Sequence, residues 1–326
     1  MNPESLPFFI CPACGASLQA SASNGAPIAD GTITCGGCSA VYPVVRGIPR
    51  FVPKKNYADS FGFQWNIHRK TQIDSYTGLS ISRDRVFGVT GWPENMEGET
   101  ILEAGSGAGR FTEILASTGA TLFTFDLSSA VDANGANNGN NKNVTFFQAS
   151  IYDIPLRKES FDRVFCLGVI QHTPDPERSF KNLVSYVKPG GRIAIDVYDT
   201  RISAYFHWRP ILRPITKRMN KERLYRIISA AVPVLLPVSI FLRKVAGRIG
   251  VRLLPIAEYS NLGLDYELNK QWSILDTFDI FSPAHDHPQS INTVRRWFEE
   301  AGLTDINVRF GPNGVVATGL KSVSAD

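Results

Sequence analysis

The run Ile101–Arg110 reads Ile-Leu-Glu-Ala-Gly-Ser-Gly-Ala-Gly-Arg, two apolar residues and a carboxylate leading into a turn with glycine at 105, 107 and 109. Apolar residues at helical spacing follow at Phe111, Ile114 and Leu115. The stretch predicts a strand, a tight turn and a helix start. Glycine lets such a turn take positive φ and lets backbone N–H groups approach a ligand at the helix N-terminus. Dinucleotide sites use G-x-G-x-x-G, whereas this turn is G-x-G-x-G with Arg110 where the last glycine would fall, which disfavours NAD or FAD. Taken alone, the turn is also compatible with an ordinary strand-to-helix connection.

The residues that follow repeat the alternation. Helix is predicted over Phe111–Ser117 and stopped by Gly119; a strand over Thr121–Phe125 ends at Asp126, and a helix starts near Ser128. Strands are predicted over Val144–Gln148 and Phe161–Leu167, a helix over Ser179–Val187, and a strand over Arg192–Val197. Strands alternating with helices give a parallel sheet with its ligand at the strand carboxyl ends. Asp126 at such an end suits a ribose diol. A helix over Ser290–Ala301 and a hairpin of Asp305–Phe310 and Val315–Lys321 around Gly311–Gly314 close the unit. Cys166 reads as a small buried residue of its strand.

These pieces resemble the class I S-adenosylmethionine-dependent methyltransferases, specifically the methyltransferase type 11 group. The match runs through Glu103–Gly109, Phe125–Ser128, Gln148–Pro155, Ser160–Val164, Leu167–Pro176 and Val187–Gly191, in family order and at family spacing. The resemblance implies an α/β fold with a Rossmann-like seven-stranded sheet and a terminal antiparallel hairpin. It implies S-adenosyl-L-methionine as cofactor, with Glu103 facing the amino-acid end and Gly105 and Gly107 passing under the methionine portion. Asp126 would take the ribose hydroxyls, with Leu127 beside it; Ser150 and Ile151 would flank the adenine, and Leu167 would lie near the transferring methyl. Many relatives carry Asp where Ser150 stands, and a serine accepts a weaker, uncharged hydrogen bond.

Four of the five cysteines lie in the first 38 residues, as Cys11-Pro-Ala-Cys14 and Cys35-Gly-Gly-Cys38. Two thiolates on each tight knuckle complete a tetrahedral four-sulfur site, so the spacing predicts a closed structural zinc site, with disulfides the alternative. So short a segment buries little core, and metal binding would supply much of its folding energy. The tail Val41–Pro53, with its Tyr-Pro and Gly-Ile-Pro, resembles the end of zinc-ribbon domains of the tRNA-methyltransferase-activator type, which implies a docking or scaffolding role toward protein.

The resulting division is a zinc ribbon at 1–53, a linker with leading helices at 54–100, a methyltransferase core at 101–199 and 290–321, and a helical cap inserted at 200–289. Lys54, Lys55 and Asn56 mark the first boundary, and the aromatic stretch Tyr57–Trp65 reads as core packing or as a wall over the site. Between Arg201 and Leu254 there are 12 Lys and Arg against one acidic residue, Glu222. That stretch carries +11 in a chain of net +4. It also holds the apolar run Ile227–Leu242, broken by Pro233 and Pro237. Such a segment reads equally as a plain helical cap, its apolar side packed on the core and its charges solvated, or as a cap over a small-molecule or lipid-linked substrate with peripheral membrane contact through 201–254; RNA phosphates are the less favoured partner. His172, His285 and His287 are candidate general bases, the last two in a segment before the final helix with Asp276 and Asp279 nearby.

With no basic, apolar leader and no uninterrupted apolar run of spanning length, the expectation is a cytoplasmic protein, peripherally membrane-associated through the cap. The expected activity is methyl transfer to a small-molecule, glycan or lipid-linked metabolite. The alternatives are an RNA base methyltransferase and an inactive binding partner built on the same fold.

Overall fold

The computed structural model describes residues 1, 3–20, 27–53, 55–201 and 208–323; Lys54 of the predicted boundary and residues 202–207 of the basic insertion lie outside them. The chain first forms a four-stranded antiparallel sheet of β1 (Leu18–Ala20), β2 (Gly31–Cys35), β3 (Val41–Val45) and β4 (Ile48–Pro49). Three helices follow: α1 (Asp59–Ile67), α2 (Asp74–Thr77) and α3 (Ile81–Thr90). The alternating unit is β5 (Thr100–Ala104), α4 (Arg110–Ala116), β6 (Thr121–Asp126), α5 (Ala130–Asn138), β7 (Val144–Gln148), β8 (Phe161–Leu167), α6 (Pro176–Val184) and β9 (Val187–Val197). The insertion supplies α7 (Arg209–Thr216), α8 (Lys221–Val251) and α9 (Tyr266–Phe281). The chain ends with α10 (Ile291–Glu300), β10 (Leu303–Gly311) and β11 (Gly314–Lys321).

Seven strands share one sheet in the order β10-β11-β9-β8-β5-β6-β7. β9, β8, β5, β6 and β7 run parallel, and the final hairpin pairs antiparallel against β9. The expected seven-stranded Rossmann-like sheet is the one observed. α6 starts earlier than the apolar pattern predicts because Asp175 caps it, accepting from Arg178 N at 3.0 Å, with Pro176 in the first turn.

The N-terminal unit does not hang free. Phe8 and Phe9 stack into the main core, Phe8 4.8 Å from Phe123 and Phe9 5.3 Å from Phe147 between ring centroids. Phe51 N donates to the Gln148 carbonyl at 2.9 Å, and the Arg50 guanidinium pairs with Asp132 at 2.5 Å. The unit thus covers the edge strand β7, whose unpaired backbone groups would otherwise be exposed.

Pro233 and Pro237 do not break the insertion's apolar run. α8 runs through both without a break, and its interruption comes later, at Gly247 (φ 55°, ψ −135°), where two helical pieces meet at a kink. A proline forfeits one backbone bond and crowds the preceding turn, but both rings lie on the exposed side while Leu224, Ile228, Val232 and Leu236 anchor the other side against Phe278 and Phe281 of α9. By length and composition α8 is also long and apolar enough to cross a membrane, although its uninterrupted uncharged run, Ile227–Leu242, is shorter than a bilayer span. The helix around that run extends it at both ends. Trp272–Phe281 is the last part of α9, which is capped at Asp265 by a 2.8 Å bond from Leu268 N.

Candidate functional site

β5 is followed on one side by β6 and β7, and the chain then returns to β8 on the other. Open α/β sheets bind ligands in the crevice such a reversal leaves at the strand carboxyl ends. A cavity of about 260 Å³ lies there, walled on the sheet side by Gly105–Ala108, Asp126, Leu127, Ile151 and Leu167.

The turn needs its glycines. Gly105 has φ +75°, and a Cβ there would lie 2.3 Å from Val169 Cγ2; Gly109 has φ +89°, and a Cβ there would lie 2.1 Å from Asn134 Oδ1. Gly109 is therefore a packing position as well as part of the turn: Asn138 Nδ2 donates to its carbonyl at 3.0 Å.

Asp126 is held by three donors. Oδ1 accepts from Ser128 N at 2.8 Å and Ser128 Oγ at 2.7 Å, and Oδ2 accepts from Gly107 N at 3.0 Å. Burial pushes its carboxyl up against the pull of these bonds. A carboxylate offers roughly four acceptor directions, so the side chain is fixed in place and can still accept from a ligand.

Glu103 lies beneath the turn, away from the cavity wall and 1% exposed. Its Oε2 accepts from Thr112 Oγ1 at 2.5 Å and Thr124 Oγ1 at 2.7 Å, whereas Oε1 is buried with no partner. Burial pushes its pKa up to about 7, opposed by the two threonine bonds. Folding therefore favours its protonated form: the stabilisation is complete below the unfolded value near 4.5 and is lost as pH rises to about 7. Chemical denaturation of the ligand-free chain should show the parent losing up to about 3 kcal/mol relative to Glu103→Gln across that window, with no further change above it. A constant difference across that window would refute the shift.

Ile151 reaches the cavity, but Ser150 does not line it. Ser150 Oγ accepts from Tyr152 N at 3.1 Å and its carbonyl accepts from Asp153 N at 3.1 Å, so both groups are used in a turn.

Tyr57, Phe61 and Trp65 form a second wall. They are four residues apart, so they share one face of α1 and its lead-in. Phe63 points the other way and packs on Tyr225 and Phe278. The aromatic stretch is thus both site wall and core.

The third wall is polar and is shared between the insertion, which gives Tyr259, Asp276 and Asp279, and the residues Gln72, Arg85, Arg110, Tyr198 and Asn313 outside it. Asp276 accepts from the Tyr259 hydroxyl, from Trp272 Nε1 at 3.0 Å and from Gln72 Nε2 at 3.1 Å. Burial pushes its pKa up to about 7. Arg110 sits over Phe111 and Trp272 and donates from Nε to Ser82 Oγ at 3.1 Å. Arg85 pairs with the fully buried Asp196 at 2.5 Å. Of these, sequence reasoning noted Asp276 but assigned Arg85, Arg110, Gln72, Tyr198 and Tyr259 no role. The pair Trp272 and Asp276, four apart on one helix, was the available signal.

The three histidines separate. His172 lines the cavity, its ring between Phe61 and Tyr198, with Nδ1 3.2 Å from the His285 carbonyl. A carbonyl only accepts, so Nδ1 carries the proton and Nε2 keeps the lone pair. Burial lowers its pKa. The rings of His285 and His287 are absent from the cavity wall; they stack on each other, and His285 also meets Tyr57 edge-on. Asp286 between them pairs with Arg209 at 2.6 Å.

The four cysteines converge separately, with all sulfurs within 4.8 Å of one another. Cys11 and Cys38 are 3.7 Å apart and Cys14 and Cys35 3.4 Å. Four sulfurs bound tetrahedrally at zinc's usual distance lie about 3.8 Å apart. Gly37 N and Cys38 N donate to Cys35 Sγ at 3.3 and 3.4 Å, as suits a thiolate. The donor set fits zinc.

Residues 102–195 match the family model described as a methyltransferase domain. Among curated proteins, the chain is 27% identical over 114 residues to the ubiquinone biosynthesis O-methyltransferase of Coxiella burnetii, covering 34% of this chain and 49% of that one. It is 28% identical over 254 residues to an uncharacterised Synechococcus protein, covering 74% of this chain and 53% of that one. The chain thus spans about half the length of these relatives. Among solved structures, the complex of the Haloferax volcanii Trm112 methyltransferase activator with a methyltransferase has a TM-score of 0.47 at 14% identity, covering 81% of this chain and 98% of that one. So loose a likeness says nothing about chemistry. The family match falls on β5 to β9, the strands whose ends and turns build the cavity floor, and residues 102–195 are a methyltransferase domain.

Proposed function

We propose that the chain is an S-adenosylmethionine-dependent methyltransferase acting on a small-molecule or lipid-linked acceptor. The observation that carries this is the joining of two walls around one cavity: the glycine turn with Asp126 on the sheet side, and on the other a polar wall to which the insertion contributes Tyr259, Asp276 and Asp279. The bound cofactor would supply an electrophilic methyl on a sulfonium sulfur. Asp126 would accept from the ribose and the Gly105–Gly107 backbone would pass beneath the amino-acid portion, whereas Glu103 lies away from the cavity wall and would act on the turn from beneath. Trp65 and Phe61 would exclude water. Zinc, held by Cys11, Cys14, Cys35 and Cys38, is structural in this reading, since all four positions are taken by protein.

The O-methyltransferase among the relatives favours an oxygen acceptor, which must lose a proton. His172 is the base in this reading, because its Nε2 lone pair is free to accept one and burial keeps the ring neutral at pH 7. His172→Gln should lower kcat by about 10² to 10⁴ while S-adenosylhomocysteine affinity stays near the parent's. Because its pKa lies below the ordinary histidine value, the rate should fall only as pH drops below about 6.5. An unchanged rate in His172→Gln would remove the base assignment.

Calorimetry with S-adenosylhomocysteine tests the whole reading. Binding with one site per chain is expected, and no heat at millimolar ligand would overturn it.

A further inference from the structure

The outer side of α8 is out of keeping with a helix facing water. Ile227, Val234, Val238, Phe241 and Val245 are 49, 71, 47, 62 and 69% exposed. Their spacings of seven, four, three and four residues place them on one helical stripe. Ala230, Pro233 and Pro237 are exposed beside them, and no charged residue occurs from Ile227 to Leu242. The opposite stripe is already buried on α9, so this exposure belongs to a docked helix. Basic residues stand at both ends of the stripe: Arg223 and Arg226 before it, Lys244 in its last turn, and Arg248 and Arg252 beyond the kink at Gly247, with Glu222 the lone acidic residue of the helix; Arg243 is instead paired with the buried Glu258.

Arg248 and Arg252 also line a second cavity of about 550 Å³, together with Arg201 and Arg209. Tyr198 and Asn313 border both this cavity and the methyltransferase cavity. Trp208, 37% exposed, donates its indole N–H to the Leu253 carbonyl just beyond the helix end. An apolar stripe about 27 Å long, bounded by cations and with an amphipathic ring near its end, matches a surface on which hydrocarbon is bordered by anionic phosphates.

We infer that the outer face of α8 lies in the plane of an anionic lipid bilayer, with Ile227, Val234, Val238, Phe241 and Val245 in the acyl boundary and the flanking arginines on lipid phosphates. The helix does not span the bilayer: its inner stripe is committed to α9, and Pro233 and Pro237 leave the Ser229 and Pro233 carbonyls without the intrahelical donor that hydrocarbon demands. This placement does not depend on the methyltransferase reading. It brings the arginine-lined cavity, and through Tyr198 and Asn313 the reaction cavity, to the lipid surface.

The full chain should be floated with vesicles of phosphatidylcholine alone and of phosphatidylcholine with a third phosphatidylglycerol. Flotation with the anionic vesicles, weakened by salt and by R248S/R252S and abolished by V234E/F241E, is the expected result. Both residues of the second pair are exposed, so its thermal midpoint and S-adenosylhomocysteine binding should match the parent's. Three results would each overturn the inference: no flotation with either vesicle, resistance of natively expressed chain to alkaline carbonate extraction, or a solution dimer that V234E/F241E converts to monomer. Retention of RNA without vesicle binding would assign the basic ends to nucleic acid instead.

Discussion

Chelating the metal, or replacing Cys11 with serine, is expected to unfold residues 1–53 and to lower the thermal midpoint of the whole chain. Its strands are three, five, five and two residues long, too short to hold an independent core. Structural zinc contributes an apparent binding free energy of about 10–16 kcal/mol in small domains, far above what a handful of buried aliphatic side chains supplies. The loss should spread, because Phe9 belongs to the same core as Phe123 and Phe147 and because Phe51 is bonded to the edge of β7. Metal analysis should find one zinc per chain, and chelation should cause loss of the cooperative melt. A chain purified without zinc, or a Cys11→Ser variant that melts with the parent, would refute the structural metal. The methyltransferase reading would survive either result.

Asp126→Ala is expected to weaken S-adenosylhomocysteine binding by a hundredfold or more. Each hydrogen bond to a charged acceptor contributes about 1.5–3 kcal/mol, and two ribose hydroxyls would both use this carboxylate. Removing it also leaves Gly107 N and the Ser128 hydroxyl without their acceptor, so the turn itself loosens. Asp126→Asn loses the charge and keeps one of the two acceptor atoms, so it loosens the turn less than alanine does. Calorimetry should rank parent, Asn and Ala in that order, and equal affinity across the three would discard the ribose role.

Much of the α/β unit was legible because its signals are local. β7 and β8 coincide with their predicted spans, since apolar runs bounded by polar turns leave the backbone few options. The four cysteines were legible for the same reason: a knuckle sets its own geometry within four residues. Element ends were less clear where a cap decided them, as at Asp175. The continuity of α8 through two prolines was not legible, because rings that stop an isolated helix are tolerated when the opposite face is anchored.

The candidate site divides along the same line. Gly105, Asp126 and Ile151 sit on strand ends and turns whose order along the chain is also their order around the cavity. Arg85, Arg110, Tyr198, Tyr259 and Asp276 come from segments up to about 190 residues apart in sequence, and only the closure of α9 over the strand ends brings them together. The histidines show the limit most plainly: three looked equivalent by residue type and position, yet only His172 faces the cavity, while His285 contributes a backbone carbonyl that holds its tautomer.

The sequence by itself determined the class of sheet, the glycine turn and the four-sulfur knuckle pair, because each is written in neighbouring residues and local backbone sterics. Only the tertiary structure decided which side of α8 is buried, which wall faces the cofactor side, and that the cysteine unit is part of the main core. Those depend on side chains from distant segments competing for the same buried surface, and no local pattern records who wins.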